Sequence, residues 1–223
     1  MAPLLAVSGA LLFTQVTNSL VYSCTTKSAA MAGTTSAAAH QIILQIWWLL
    51  SYFPVPLYLA AQSLLGRDLG RGDIPRAQAT IRLLVTLGVG LALALGVANA
   101  ALPAAFPGAF TKDAAVTAAV AAVVPAACVA QAAATINTSL EGVFAGAGRL
   151  RYVASVSLLS STLGIASMAA LSRQGAGLGG AWLGLCVFEA VRMACHAVSW
   201  RSFAADVREG RARGAVPPAE KKD

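Results

Sequence analysis

The chain has 223 residues, of which 57% are hydrophobic and 11% charged, against about 25% charged in an ordinary soluble domain. Mean hydropathy is +0.70, and between Met1 and Gly66 the only charged side chain is Lys27. This excludes a soluble enzyme, a nucleic-acid-binding domain and a disordered chain, and the formal charge of +7 reads as orienting charge around membrane spans.

Six apolar runs are long enough to cross a bilayer as helices, about 20 residues each. The expected fold is therefore all-α, a polytopic membrane protein whose residues 1–203 form one six-helix lobe. The first run, Leu4 to Thr26, lacks a basic leader and is too long for a signal peptide, so it is read as a span. Gln15, Asn18 and Tyr22 fall at i, i+3 and i+7 on it, a face suited to protein or water rather than lipid.

The second run, Ala37 to Leu65, opens with His40 and carries Gln41, Gln45, Trp48 and Tyr52 as one stripe of amides and rings. Such a stripe suits an aromatic or amphipathic solute, although any single Gln can instead hydrogen-bond between helices. Pro54 and Pro56 interrupt this run, and Pro125 the fourth, which predicts bends. The third run is Ala77 to Leu102, and a Phe106-Pro107-Gly108 turn comes after it.

The fourth run, Ala114 to Phe144, places Gln131, Thr135, Thr138 and Glu141 on one side. A carboxylate in a span is costly and marks a functional site by default. Two readings of Glu141 stand: a coupling or substrate-binding group, or an interfacial partner for the arginines of the Gly148-Arg149-Leu150-Arg151 turn. The fifth run is Leu150 to Leu171. The sixth, Leu178 to Trp200, carries Glu189, Arg192, His196 and Ser199 on one face. Glu189 and Arg192 are spaced for an intrahelical ion pair, which lowers the cost of burying either. The G-x-x-x-G steps Gly142 to Gly146 and Gly180 to Gly184 permit close helix contact, within the lobe or between copies.

Twelve of the sixteen basic residues fall on alternate loops and the tail, between Arg67 and Arg82, at Arg149 and Arg151, and after Trp200. That bias places both termini on the cytosolic or stromal face. Residues 204–223 read as a basic, disordered tail. The four cysteines each lie in an apolar run with no C-x-x-C pairing and read as packing residues.

Several segments together resemble the second half of multidrug and toxic compound extrusion (MATE) transporters, from their seventh helix onward. They are Ala38-Ala39-His40-Gln41-Ile42, Ala61-Gln62 and the Gly66 to Ala77 loop, then Phe106-Pro107-Gly108-Ala109-Phe110-Thr111-Lys112-Asp113. Ser139-Leu140-Glu141-Gly142, Gly146-Ala147-Gly148-Arg149 and Gly177-Leu178-Gly179-Gly180-Ala181-Trp182 with Arg192 complete the match. The Phe-Pro-Gly-x-Phe-Thr and Ser-Leu-Glu-Gly pieces are most similar to the plant plastid-envelope branch, which includes exporters of salicylate-type acids. The resemblance implies that Gln15, Asn18, Gln41, Gln45 and Gln62 face a substrate cleft, and the polar stripes add Tyr22, Trp48, Tyr52 and Gln131 to the expected pathway. It implies that Glu141 and Arg192 help hold the lobe or its inner gate, and Glu189, spaced to pair with Arg192, joins them as the expected coupling or gating group.

Family members have two six-helix lobes, and this chain matches the second. The expectation is either a piece of a longer transporter or two copies that rebuild the cleft. The partners implied are a small organic solute, a second six-helix lobe and the lipid bilayer, with no nucleic acid. No cofactor and no bound metal are expected, and the drive is a proton or sodium gradient. Two other classes compete with transport: a membrane-embedded enzyme and a non-transporting interaction subunit. Intramembrane enzymes need clustered Asp, a Ser with a base or His-x-x-x-His, and the two histidines here lie in different runs.

Overall fold

Long alanine- and leucine-rich stretches with few polar groups satisfy their backbone hydrogen bonds internally, and the chain takes that route almost everywhere. The computed structural model describes residues 2–105 and 110–212. Its helices are α1 (Ala2–Met31), α2 (Thr34–Ser51), α3 (Val55–Gly70), α4 (Ile74–Ala105), α5 (Ala114–Gly146), α6 (Leu150–Arg173) and α7 (Gly177–Arg208). Among the described residues, five segments are long and apolar enough to cross a membrane, with α2 and α3 together forming one of them, Thr34–Gly70. With α1, a 30-residue helix beside them, the architecture is the all-α membrane bundle expected.

The second run is broken rather than bent, which corrects the single helix read over Ala37 to Leu65. Residues 52–54 form a turn, Pro54 caps α3, and Pro56 sits in its first turn, where a missing N–H costs nothing. Pro125, by contrast, is accommodated inside α5, which stays α-helical on both sides of it. The last helix runs on to Arg208, and Arg211 ion-pairs with Asp206 at 3.1 Å, so the first part of the basic tail is ordered against α7. The Phe106-Pro107-Gly108 segment, expected as a turn, and the tail beyond residue 212 lie outside the described residues.

Glycine ends these helices for a conformational reason. At the α5–α6 junction Gly148 has φ 75°, the Gly148 amide donates to the Ala145 carbonyl, and the Arg149 amide donates to the Phe144 carbonyl. That paired closure needs a left-handed residue after the helix. Gly72, φ 71°, closes the α3–α4 junction in the same way. At the other type of end, the Asp113 carboxylate caps α5 by accepting from the Ala115 amide at 2.8 Å.

Helix α5 is central, packing on α2, α3, α4 and α7, while α6 and α7 pair with each other and with α1. One core cluster gathers Ile43, Trp47, Met168, Trp182, Leu185 and Phe188. A second, at the end carrying most of the basic loops, gathers Leu65, Ile81, Phe144, Val153 and Phe203. Both G-x-x-x-G steps are used inside the lobe. A Cβ on Gly142 would lie 2.7 Å from the Tyr58 Cα, and one on Gly180 would lie 3.1 Å from the Leu171 Cβ. Hydroxyls join α1 to α6: Thr17 and Ser157 share a 2.7 Å bond, and Ser157 donates to Asn18 at 2.9 Å.

The basic end is held by ion pairs. Asp68, buried in α3, faces Arg67 at 3.1 Å and Arg76 at 3.7 Å and accepts from the Thr80 hydroxyl at 2.9 Å. Arg149 pairs with Asp206 and lies over the Phe203 ring. If this end faces the cytosolic or stromal side, a cysteine at Ser202 and one at Ser36 should label from opposite sides of the membrane in a cysteine-free background. Labelling of both from one side would contradict the orientation drawn from the charge bias.

Candidate functional site

A cavity of about 600 Å³ opens where α1, α2, α3 and α5 meet. From α1 come Thr14, Gln15, Asn18, Ser19 and Tyr22, and from the α2–α3 break Trp48, Ser51, Tyr52, Pro54 and Val55. Tyr58 of α3, and Gln131, Thr135, Thr138 and Glu141 of α5, complete the wall with Arg192 of α7. The rings of Tyr22 and Trp48 are 4.8 Å apart and tilted by 53°. They give the cavity an aromatic side facing the amides of α1 and the hydroxyls of α5. A volume of this size lies in the range of small-molecule pockets.

The lower wall is backed by a buried charge cluster. Arg192 donates through Nη2 and Nε to Glu141 Oε1, at 2.7 and 3.1 Å, and through Nη1 to Glu189 Oε2 and Oε1, at 2.9 and 3.1 Å. Asn137 donates to Glu189 Oε2 at 2.8 Å and to the Glu189 carbonyl at 2.9 Å. The Arg192 guanidinium also lies 5.0 Å over the Phe188 ring. Glu189 is fully enclosed, whereas the Glu141 side chain keeps 7% exposure and reaches the cavity. Two carboxylates thus share one guanidinium, and the planar fork of arginine lets it serve both at once.

This arrangement corrects the interfacial reading of Glu141. Its arginine is Arg192 of the facing helix, while Arg149, nearer in sequence, is taken by Asp206. The reason is rotational. Glu141 points inward from α5 toward α7, and the next turn, with Gly148, carries the chain around before Arg149 begins α6. The Glu189–Arg192 pair read from spacing alone is present, extended to a second carboxylate.

Eight of the expected pathway and coupling residues line the one cavity: Gln15, Asn18, Tyr22, Trp48, Tyr52, Gln131, Glu141 and Arg192. Glu189 stands behind it. Gln41, Gln45 and Gln62 do not reach it. The α2 stripe is real, but its amide end is exposed away from the cavity, with Gln45 on a shallower groove shared with Trp48, Leu49 and Tyr52. Gln62 is half-buried, and its Cα lies against Gly146 of α5. Gln131 does double duty, since its carbonyl accepts from Asn99 of α4 at 3.3 Å.

Sequence reasoning misses Asn99, Asn137 and Tyr58. Asn99 sits among alanines in an apolar run and Asn137 between Ile136 and Thr138, and an amide at such a place in a span is the available signal. His40, which opens the second run, is buried, and its Nε2 lies 3.1 Å from the Thr26 hydroxyl, with the ring 5.7 Å from Trp182.

The fold and the cavity define a helical membrane lobe, with a polar pocket beside a broken helix and a buried ionic cluster next to it. The MatE family model matches residues 10–169, and the chain belongs to that family, which is one of transporters rather than enzymes. None of the curated proteins matches the chain. Among solved structures it is similar to the eukaryotic MATE transporter AtDTX14, with 19% identity and TM-score 0.74, over 86% of this chain and 45% of that one. It is also similar to a MOP superfamily transporter from Pyrococcus furiosus, with 15% identity and TM-score 0.73, over 98% of this chain and 47% of that one. These likenesses show the fold. The chain spans a little under half the length of the solved chains it matches.

Proposed function

We propose that the chain is one lobe of a two-lobed secondary transporter that moves small aromatic or amphipathic organic solutes by alternating access, exchanged for a cation down its gradient. The observation that carries this reading is the cavity itself, in which rings, amides and hydroxyls surround a mouth whose inner wall ends on Glu141. A second lobe, from the rest of a longer protein or from another copy, completes the pocket. It would also cover Leu11, Leu12, Leu59 and Tyr52, which stand exposed around the opening.

The charge cluster bears on the solute. Arg192, the one basic residue on the wall among those described, is fully engaged by Glu141 and Glu189 and offers no free handle to a carboxylate solute. With one carboxylate more than guanidinium, the cluster behind the wall favours neutral or cationic aromatics over the salicylate-type acids that the branch resemblance implies. Glu141, at the cavity edge, is the group placed to take the coupling ion.

The test uses the assembly purified from its own membranes and reconstituted in proteoliposomes, with ethidium and radiolabelled salicylate as probes under imposed proton or sodium gradients. Ethidium uptake should be gradient-driven and exceed salicylate uptake, and Glu141→Gln should reduce it at least tenfold. Movement of neither probe under either gradient would favour a non-transporting membrane subunit.

A further inference from the structure

Resting on the reading of Glu141 as the coupling carboxylate, we propose that His196 and Tyr152 carry protons between Glu141 and a separate groove at the basic end of the bundle. The coupling ion along this route is then a proton. The two side chains lie in line. His196 Nε2 is 3.8 Å from Glu141 Oε1 and has no hydrogen-bond partner among the described residues, although the residue is almost completely buried. An enclosed ring nitrogen without a partner is destabilising, so its place beside a carboxylate calls for a physical reason. On the other side of the ring, Nδ1 is 3.1 Å from the Tyr152 hydroxyl. Stacking on Phe144, with centroids 5.3 Å apart and planes 24° from parallel, holds the imidazole in this line.

Tyr152 lies in the first turn of α6 and lines a groove of about 370 Å³, in which Ser155, Cys195 and Ser199 stand among the apolar Val156, Leu159 and Val198. Arg149, Arg151 and Arg201 flank these residues in sequence, which puts the groove at the end of the bundle bearing the basic loops. The chain of groups therefore starts at the central cavity and ends at a different surface. Imidazole accepts a proton on one nitrogen and releases one from the other, and a phenol hydroxyl both donates and accepts. Transfer from group to group along such a route moves a proton and not a sodium ion.

The titratable groups facing His196 are Glu141 from α5, Tyr152 from α6, and Glu189, Arg192 and Cys195 on its own helix. Arg149, at the head of α6, is occupied by Asp206. In the step itself, the Glu141 O–H bond breaks as an Nε2–H bond forms. The Nδ1–H bond then breaks as the Tyr152 oxygen gains that proton, and the original phenol proton leaves to water in the groove. Glu141 is left as carboxylate, the imidazole and phenol are neutral, and reorientation of ring and hydroxyl resets the chain. The 3.8 Å separation is a break in the wire. It must shorten by about 1 Å to reach hydrogen-bond length, so in this conformation the cavity and groove are not short-circuited.

The experiment measures proton flux into proteoliposomes holding the purified assembly, with trapped pyranine reporting an external acid pulse and valinomycin with potassium clamping the voltage. Wild type should exceed protein-free liposomes. Tyr152→Phe, which keeps the ring, and His196→Gln should each lower the protein-dependent flux at least tenfold with unchanged thermal stability, and added imidazole should restore flux to His196→Ala. Wild-type flux equal to protein-free liposomes overturns the relay, as does wild-type flux in Tyr152→Phe and His196→Gln while Glu141→Gln abolishes it. Undiminished flux and ethidium uptake in Glu141→Gln would overturn the coupling role of Glu141 itself.

Discussion

Arg192→Leu should be the most destabilising single substitution in the lobe. It leaves Glu141 and Glu189 buried together with no guanidinium between them, and breaking a buried ion pair from one side costs about 3–5 kcal/mol. The loss should appear as a lowered unfolding midpoint in mild detergent, by heat or by denaturant. The cost belongs to the stranded carboxylates more than to the missing arginine. A triple variant, Arg192→Leu with Glu141→Gln and Glu189→Gln, should therefore regain more than half of it, with Asn137 still able to bond the amide at position 189. If Arg192→Leu alone unfolds at the wild-type midpoint, the cluster is not the electrostatic unit described.

Gly146→Leu should come next, for a steric reason. A Cβ at Gly146 would sit 2.5 Å from the Ala61 carbonyl oxygen and 3.2 Å from the Gln62 Cα, so the obstruction is the backbone of α3 and cannot swing aside. Overpacking of this kind costs about 1–3 kcal/mol and more where backbone must move. Here it would lever α3, and with it Tyr58 and Val55, away from the cavity wall. Gly90→Ala is the matched control, since a Cβ there meets nothing within 4 Å. An unfolding midpoint for Gly146→Leu no lower than that of Gly90→Ala would show that α3 is not clamped to α5 through these glycines.

Both expectations depend on facts of different legibility. Composition alone settles the solvent in which this chain folds, because runs of 20 or more apolar residues leave the backbone no partner but itself. The same argument places the helices and their glycine stops, and i, i+3, i+7 spacing finds the polar faces of α1 and α5 that line the cavity. Glu189 with Arg192 is legible too, being a contact within one helix turn.

What spacing cannot give is how one helix is rotated against another. Gln41, Gln45, Trp48 and Tyr52 share a face of α2, yet only the two aromatic residues reach the cavity, because the chain breaks at Pro54 and α3 turns toward Gly142 and Gly146. The partner of Glu141 is hidden for the same reason. Fifty-one residues separate it from Arg192, while two arginines lie within ten residues of it, and only the packing of α5 on α7 decides between them. The line from Glu141 through His196 to Tyr152 crosses three helices. Each residue taken singly reads as a buried polar group, and their order along a path exists only in the tertiary structure, where α5, α6 and α7 pack so that side chains from all three meet.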